Sequence, residues 1–181
     1  MNVFESFVNL FDKNGNLRDK VWVEWKHELN VPAGHCELCK VLHECWFDNQ
    51  IKPKKPLHPK CHCTTVFIEP PKANVTSEAT CDIRKFTEYI FSDKYAWNGK
   101  RALFENLGFS IADAEFLKRE YEKQASEKYC NSDYSLGKLD KNGQRININI
   151  EFNRNGNEIS FLSGWMVKPK GFISNNTPFG G

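Results

Sequence analysis

From Gln144 to Phe152 the chain alternates without a break, Gln-Arg-Ile-Asn-Ile-Asn-Ile-Glu-Phe, which places Ile146, Ile148, Ile150 and Phe152 on one face of a strand. Asn142-Gly143 and Asn155-Gly156 bracket this strand, and Asn-Gly is the strongest short-range hairpin signal. The spacing therefore predicts flanking strands over 134–139 and 158–168, with a turn at Gly171 and a short last strand. Upstream the period lengthens. Ile83, Phe86, Tyr89 and Ile90 predict one short amphipathic helix, and Ala102, Leu103, Phe104 and Leu107 a second, ended by Gly108. Ser110 with Asp113 three residues on predicts the start of a long third helix, whose apolar face is Ile111, Ala114, Leu117, Tyr121 and Ala125. Helices followed by a three- to four-stranded antiparallel meander make this half an α+β domain.

The front half is less regular. Phe4, Phe7, Val8 and Phe11 recur at helical spacing before an Asn14-Gly15 turn, and Val21, Trp22 and Trp25 suit a second helix or an extended segment. Pro32, Pro53, Pro56 and Pro59 forbid a long helix across 31–68. Residues 69–80, with two prolines and then small polar residues, read as a linker. The expected organisation is a Cys/His-rich module over 1–68, a linker over 69–80 and an α+β domain over 81–181.

Composition sharpens this division. A chain of 181 residues with 40% hydrophobic and 13% aromatic content can bury a core, and a net charge of +2 predicts no general attraction to nucleic acid or membrane. All five histidines and five of the seven cysteines lie between His27 and Cys63. The first residues lack a basic and apolar signal segment, and no apolar run is long enough to span a membrane. The expected compartment is the cytoplasm of a bacterial cell, reached from within or by delivery from a virion or secretion system. In a reducing compartment clustered cysteines are more often metal ligands than disulfides, and an odd count agrees.

The cluster reads His35-Cys36-x-x-Cys39, then His58-Pro59-Lys60-Cys61-His62-Cys63. A C-x2-C pair grips one ion from a tight turn, and a second half-site completes a tetrahedron. That second half-site is either Cys61 with Cys63, giving four thiolates, or His58 with Cys61, giving three thiolates and an imidazole. His43 and Cys45 are spare candidates. The expectation is one structural Zn2+, because four protein ligands leave no position open for water; a catalytic zinc with Glu37 or Glu44 as base is not selected by the spacing. Reduced, buried cysteines without metal are the alternative. Cys81 and Cys130 stand outside the cluster as ordinary thiols.

The pattern Trp25…Cys36-x-x-Cys39…Pro56-Leu-His58-Pro59-Lys-Cys61-His-Cys63-Thr64 resembles the Cys/His-rich end of phage Mu-type minor head (head morphogenesis) proteins, over roughly residues 20–68. His62 stands where that family usually has Arg, and the long helical body that precedes its motif is missing. The resemblance implies a relative or fragment of a phage structural protein. The second half, with Tyr89, Gly99-Lys100, Leu103-Phe104-Glu105, Leu107-Gly108, Tyr134, Gly143-Gln-Arg145, Ser163-Gly-Trp165, Lys168-Pro and Thr177-Pro-Phe-Gly-Gly181, resembles the barnase/EndoU/colicin/RelE-like ribonuclease domains of phage and polymorphic-toxin proteins. That resemblance implies an endoribonuclease, RNA as substrate with tRNA one candidate class, and a protein inhibitor or a host or virion protein as partner.

RNA cleavage needs a base for the 2′-hydroxyl, an acid for the leaving oxygen and cations around the phosphorane. No histidine follows His62, so other groups must serve. Lys100 in a Gly-Lys-Arg loop is the first cation. Arg145 and Glu151 share the polar face of the central strand, Glu151 as base. Ser163 and Trp165 share a face of the next strand, offering a hydroxyl and a stacking platform, and Thr177 follows. Each has a plain alternative: a solvated lysine, an exposed strand pair, a core tryptophan, a bulge at Ser163-Gly164, an ordered tail. Two functions follow. One is a metal-independent endoribonuclease with a structural zinc module. The other is a non-catalytic, phage-derived protein-binding or inhibitor module stabilised by zinc. A His-Asn-His zinc nuclease is disfavoured, since the sequence lacks the Asp-His pair and the following Asn and His expected of it. The run Lys52-Pro-Lys-Lys55 with Lys60 reads as a solvated, proline-stiffened loop or an RNA or acidic-partner contact.

Overall fold

A computed structural model describes residues 20–27, 36–154 and 156–179. The helix expected at Phe4–Phe11 and the residue His35 lie outside the described residues.

The fold is α+β and holds two sheets. In the Cys-rich front part, β1 (Trp22–Lys26) lies between β2 (Trp46–Asp48) and β3 (Thr64–Ile68), antiparallel to both. Trp22, Val23 and Trp25 are all buried, so β1 is covered on both faces, and of the two readings of this segment the extended one is adopted. Between β1 and β2 a short helix, α1 (Glu37–Leu42), buries Cys39 and Leu42. A region expected as loops thus owns a three-stranded sheet.

The second half follows the predicted order. Lys85–Ile90 form a wide π-type turn closed by Phe91 N–H donating to Phe86 O at 2.9 Å, with Phe86 and Ile90 inward. A 3-10 segment (Asp93–Asn98) leads through Gly99 into α2 (Lys100–Asn106). Ser110 and Asp113 form a reciprocal capping box, and after a 3-10 turn α3 (Ala114–Cys130) runs with Leu117, Tyr121 and Ala125 buried. Ile111 is 57% exposed, because the tight turn of residues 111–113 puts it out of phase with the α-helical face that begins at Ala114.

The expected meander is there as β5 (Ser135–Asp140), β6 (Gly143–Arg154), β7 (Asn157–Val167) and β8 (Ile173–Thr177), in antiparallel order. The strand count needs correction, because the sheet has a fifth member. β4 (Ala79–Thr80) pairs in parallel with β8, giving the order β4-β8-β7-β6-β5. Its residues come from the segment read as a linker. That segment is pinned to the body: Ser77 is buried and donates from Oγ to Gly171 O at 2.6 Å, Ser126 Oγ donates to Ser77 O at 3.1 Å, and Ile173 N donates to Glu78 O at 2.9 Å. Small polar residues that make no core can still satisfy backbone groups, which is why composition alone suggests a tether.

The core of this half is aromatic. Phe104 stacks on Phe161 with ring centroids 4.6 Å apart, and Phe152, Phe109 and Tyr121 pack edge-on or tilted around them. α3 links the two halves. Tyr121 OH donates to Pro178 O at 2.9 Å, and two turns on Tyr129 OH donates to Trp46 O at 2.5 Å while its ring meets Trp22 edge-on. Asp48 adds a second joint, accepting from Ser132 Oγ at 2.5 Å, with its own N–H donating to Tyr134 OH at 3.0 Å.

Candidate metal centre and candidate cleft

Five sulfur and nitrogen donors converge at the edge of the small sheet. Cys36 caps α1, its Sγ accepting from Cys39 N, and Cys39 lies one turn on, inside the core. Cys39 Sγ is 3.3 Å from Cys36 Sγ, 3.2 Å from His58 Nε2 and 3.9 Å from Cys61 Sγ. The donor atoms of Cys36, Cys39 and His58 lie within 4.8 Å of one another, as do those of Cys39, Cys61 and Cys63. Thiolates around one ion with metal–sulfur bonds of about 2.3 Å have sulfurs about 3.8 Å apart, and the Cys39–Cys61 separation of 3.9 Å is of that size. Both groups of donors could hold a metal ion.

The surroundings agree with this. His58 Nδ1 lies 2.8 Å from Pro59 O; a carbonyl only accepts, so Nδ1 carries the proton and Nε2 turns its lone pair to the sulfurs. Burial pushes the Cys39 thiol up, reinforced by its neighbours Cys63 and Cys36. Burial also raises the Cys63 thiol, partly offset by the indole N–H of Trp25, a buried donor with no regular hydrogen bond that faces this sulfur. At Cys61 burial is outweighed by backbone hydrogen bonds from Cys63 and Leu57, which hold the thiol at about 7.

The spare candidates do not join. Cys45 is buried, its thiol pushed to about 12 by burial, and Sγ lies 3.5 Å from Val41 O. His43 caps α1 and stacks on His27 with centroids 3.9 Å apart. Glu37 pairs with Lys40 and Glu44 faces Lys26. Cys81 is buried, its thiol raised to about 12 by burial and then by Glu122. Burial raises the half-buried Cys130 as well.

The six residues proposed for catalysis separate into three places. Lys100 Nζ donates to Tyr89 OH at 3.0 Å and to Phe179 O at 2.9 Å, and sits over the Tyr89 ring. Thr177 Oγ1 donates to the same Phe179 carbonyl at 2.9 Å, and Thr177 O accepts from Ser163 Oγ at 3.1 Å. Lys100, Thr177 and Ser163 are thus linked around the end of β8. Ser163 itself is fully buried, receiving Asn175 Nδ2 at 3.0 Å, which makes it a sheet-internal link and not a surface hydroxyl. Trp165 is 0% exposed, so it is core and offers no face to a base. The register shift between Gly164 and Trp165 is the bulge anticipated at Ser163-Gly164.

Arg145 and Glu151 lie elsewhere. Six residues apart on β6, they are about 20 Å from each other. Arg145 reaches Asp140 at 3.5 Å, and Glu151, 65% exposed, pairs with Lys128 at 3.0 Å. Glu151 lines a different hollow of about 490 Å³ with Phe152, Asn153 and Glu158.

Beside Lys100 and Thr177 opens a cleft of about 430 Å³ lined by Asp82, Arg84, Lys85, Glu88, Tyr89, Tyr95, Asn176, Thr177 and Pro178, with Arg84 Nε donating to Asp82 Oδ2 at 2.9 Å. Tyr89 and Tyr95 pack at 5.2 Å, tilted by 56°, and Lys85 Nζ donates to Asn176 O at 2.8 Å. The sequence reading assigned no site role to Arg84, Lys85, Tyr95 or Asn176. The signal was a basic pair followed by two tyrosines, hidden because Tyr89 also completes a helical face.

Residues 72–175 match DUF6883, a domain of unknown function, and the chain belongs to that family. No curated protein and no solved structure matches the chain. Among the described residues no helix is long and apolar enough to cross a membrane.

Proposed function

We propose that this DUF6883 member is an endoribonuclease whose front module is held by one structural Zn2+ and whose substrate site is the cleft at the end of β8. The observation that carries this reading is the cleft's lining: Lys85, the Arg84–Asp82 ion pair, the Glu88 carboxylate, phenol rings (Tyr89, Tyr95) and Thr177 in one hollow, with the Lys100 ammonium in hydrogen-bond contact with Tyr89 OH. The order of helices and antiparallel strands, and the resemblance to barnase/EndoU/colicin/RelE-like domains, support it. The phage-protein resemblance of the front module supports a phage or toxin setting.

In the reaction the 2′-oxygen attacks the adjacent phosphorus, its proton leaves to a base, and the 5′-oxygen departs with a proton from an acid. Glu88, a carboxylate of the cleft, takes the 2′-hydroxyl proton in place of Glu151, and Lys100 beside Tyr89 OH gives a proton to the leaving 5′-oxygen. Lys85 faces the phosphorane charge, while Arg84 is held by Asp82. A zinc ion held by four of Cys36, Cys39, His58, Cys61 and Cys63 would serve structure alone, since four protein ligands would leave no position open to water or phosphate. The soft donor set is the reason for naming zinc.

Incubation of total RNA with the purified protein in EDTA is expected to give fragments with 2′,3′-cyclic phosphate ends, and Lys100→Ala to slow cleavage by about 100-fold with the fold intact. RNA left whole at stoichiometric protein, with or without chelator, would sink the reading. The protein-binding alternative rests on Trp97, whose side chain stands 82% exposed. It is favoured if the chain captures one stoichiometric protein partner that Trp97→Ala releases, with no RNA co-purifying.

A further inference from the structure

Residues 49–68 contain four lysines and two histidines and no Asp or Glu. Elsewhere carboxylates meet many of the cations: Lys118 pairs with Glu122, Lys128 with Glu151 and Arg154 with Asp113. Among the described residues no carboxylate pairs with Lys52, Lys54, Lys55 or Lys60. Three of them, Lys54, Lys55 and Lys60, are exposed, and so is His62.

The loop that carries them is held at several points. Lys52 Nζ donates to Asn49 O at 2.6 Å and to Asn49 Oδ1 at 2.7 Å, and Tyr134 OH donates to Ile51 O at 3.1 Å. Pro53 is buried, His58 belongs to the donor cluster, and Cys61 N donates to His58 O at 3.1 Å. Burial, and then the charge of Lys55, pushes the Lys52 ammonium below its usual range. The like charges repel one another, and a polyanion would relieve that repulsion.

A zinc centre does not use up this charge. Three thiolates and an imidazole around Zn2+ leave one negative charge, four thiolates leave two, and four lysines exceed either. The exposed side chains of the loop are Lys54, Lys55, Pro56, Pro59, Lys60 and His62. None is an aliphatic or aromatic anchor of the kind that enters a bilayer or centres a protein interface, where lysine is depleted. Charge without apolar anchors fits a phosphate backbone.

We infer that the loop Lys52–His62 is a second nucleic-acid contact, in which Lys54, Lys55 and Lys60 neutralise backbone phosphates of single-stranded RNA and the metal centre holds the loop in shape. The inference takes its polyanion from the ribonuclease reading, yet it concerns binding and not the chemistry of the cleft.

The test is fluorescence anisotropy with a labelled 2′-O-methyl RNA 12-mer, which cannot be cleaved through its 2′-oxygen, titrated at several salt concentrations. Each phosphate contact to a single strand contributes about −0.7 to the slope of log K against log salt. Replacing Lys54, Lys55 and Lys60 by Gln is expected to make the slope shallower by about 2. The wild type then loses about 20-fold more affinity than the variant between 0.05 and 0.2 M salt. The matching Lys→Arg variant is expected to keep the wild-type slope. If the triple variant loses its fold, judged by circular dichroism, the single Lys54→Gln change decides, with an expected slope change of about 0.7. An unchanged slope overturns the inference. So does a variant that loses metal but keeps its slope, since the lysines then serve only the thiolates. Tighter binding to polyglutamate or to phosphatidylserine vesicles than to the RNA overturns it too. Cleavage of unmodified RNA with an unchanged slope would spare the ribonuclease reading and remove this one; a changed slope without cleavage would do the reverse.

Discussion

The two halves of the molecule solve one problem by different means. The sheet of β5–β8 with α3 closes over a continuous aromatic core, in which Phe104, Phe152 and Phe161 lie within ring contact of one another. The β1–β3 module has Trp22, Trp25, Phe47 and Leu42 as its large buried side chains, and its edge is a group of sulfurs. A module this small has little apolar surface of its own to offset its conformational entropy, and an ion held by those sulfurs would add to its stability. One half is stabilised by burial. The other carries donors that could hold a metal ion, and it leans on α3 through Tyr129 and on the turn after β7 through Cys45, whose backbone bridges to Pro169.

The most disruptive way to break this contrast is Cys39→Ser, since Cys39 belongs to both donor groups. The expected outcome is metal content falling from one ion per chain to near zero by mass spectrometry. Structural zinc supplies apparent binding energies of about 10–16 kcal/mol, so amide protection in β1–β3 should collapse while that of β6 and β7 persists. Retention of a full metal complement would show that another donor set is used. Phe104→Ala makes the opposite cut. Removing a fully buried ring that stacks on Phe161 should cost about 3–5 kcal/mol in denaturant unfolding of the second half, with metal content unchanged. The smallest effect is expected at the joint. Tyr129→Phe leaves Trp46 O without its donor and should cost about 1–1.5 kcal/mol, with the two halves, expected to unfold together in the wild type, giving separate transitions in the variant. Coincident transitions in the variant would mean that the rest of the interface suffices to couple the halves.

Legibility in the sequence followed the same division. The alternation of Gln144–Phe152 returns as strict alternation of burial along β6, and the Ser110–Asp113 box caps the helix start it marks. These are local signals, read from a few neighbours. Cys36, Cys39, His58, Cys61 and Cys63 were legible because ligand spacing is itself a local constraint; the structure brings all five together but leaves the choice among them to the ion. β4 was not legible, because two residues pairing in parallel with a strand near the far end of the chain leave no period. Nor was the burial of Trp165. Period two puts Ser163 and Trp165 on a common face, but which faces are covered depends on what packs against β7, and there both residues are inside. The cleft escaped for a related reason: Arg84, Tyr95 and Asn176 meet only after β8 has docked beside the π-type turn.

Gly171 draws three parts of the chain to one point. Its φ is +80°, a Cβ there would come within 2.5 Å of the Trp46 ring, and its carbonyl receives Ser77 Oγ. The seat for the front module is therefore made by the turn that joins β7 to β8, about a hundred residues after Cys63. During translation the cysteines emerge long before that seat exists. Whatever those cysteines hold by then, the tryptophans of β1 stay uncovered until the turn at Gly171 has emerged as well.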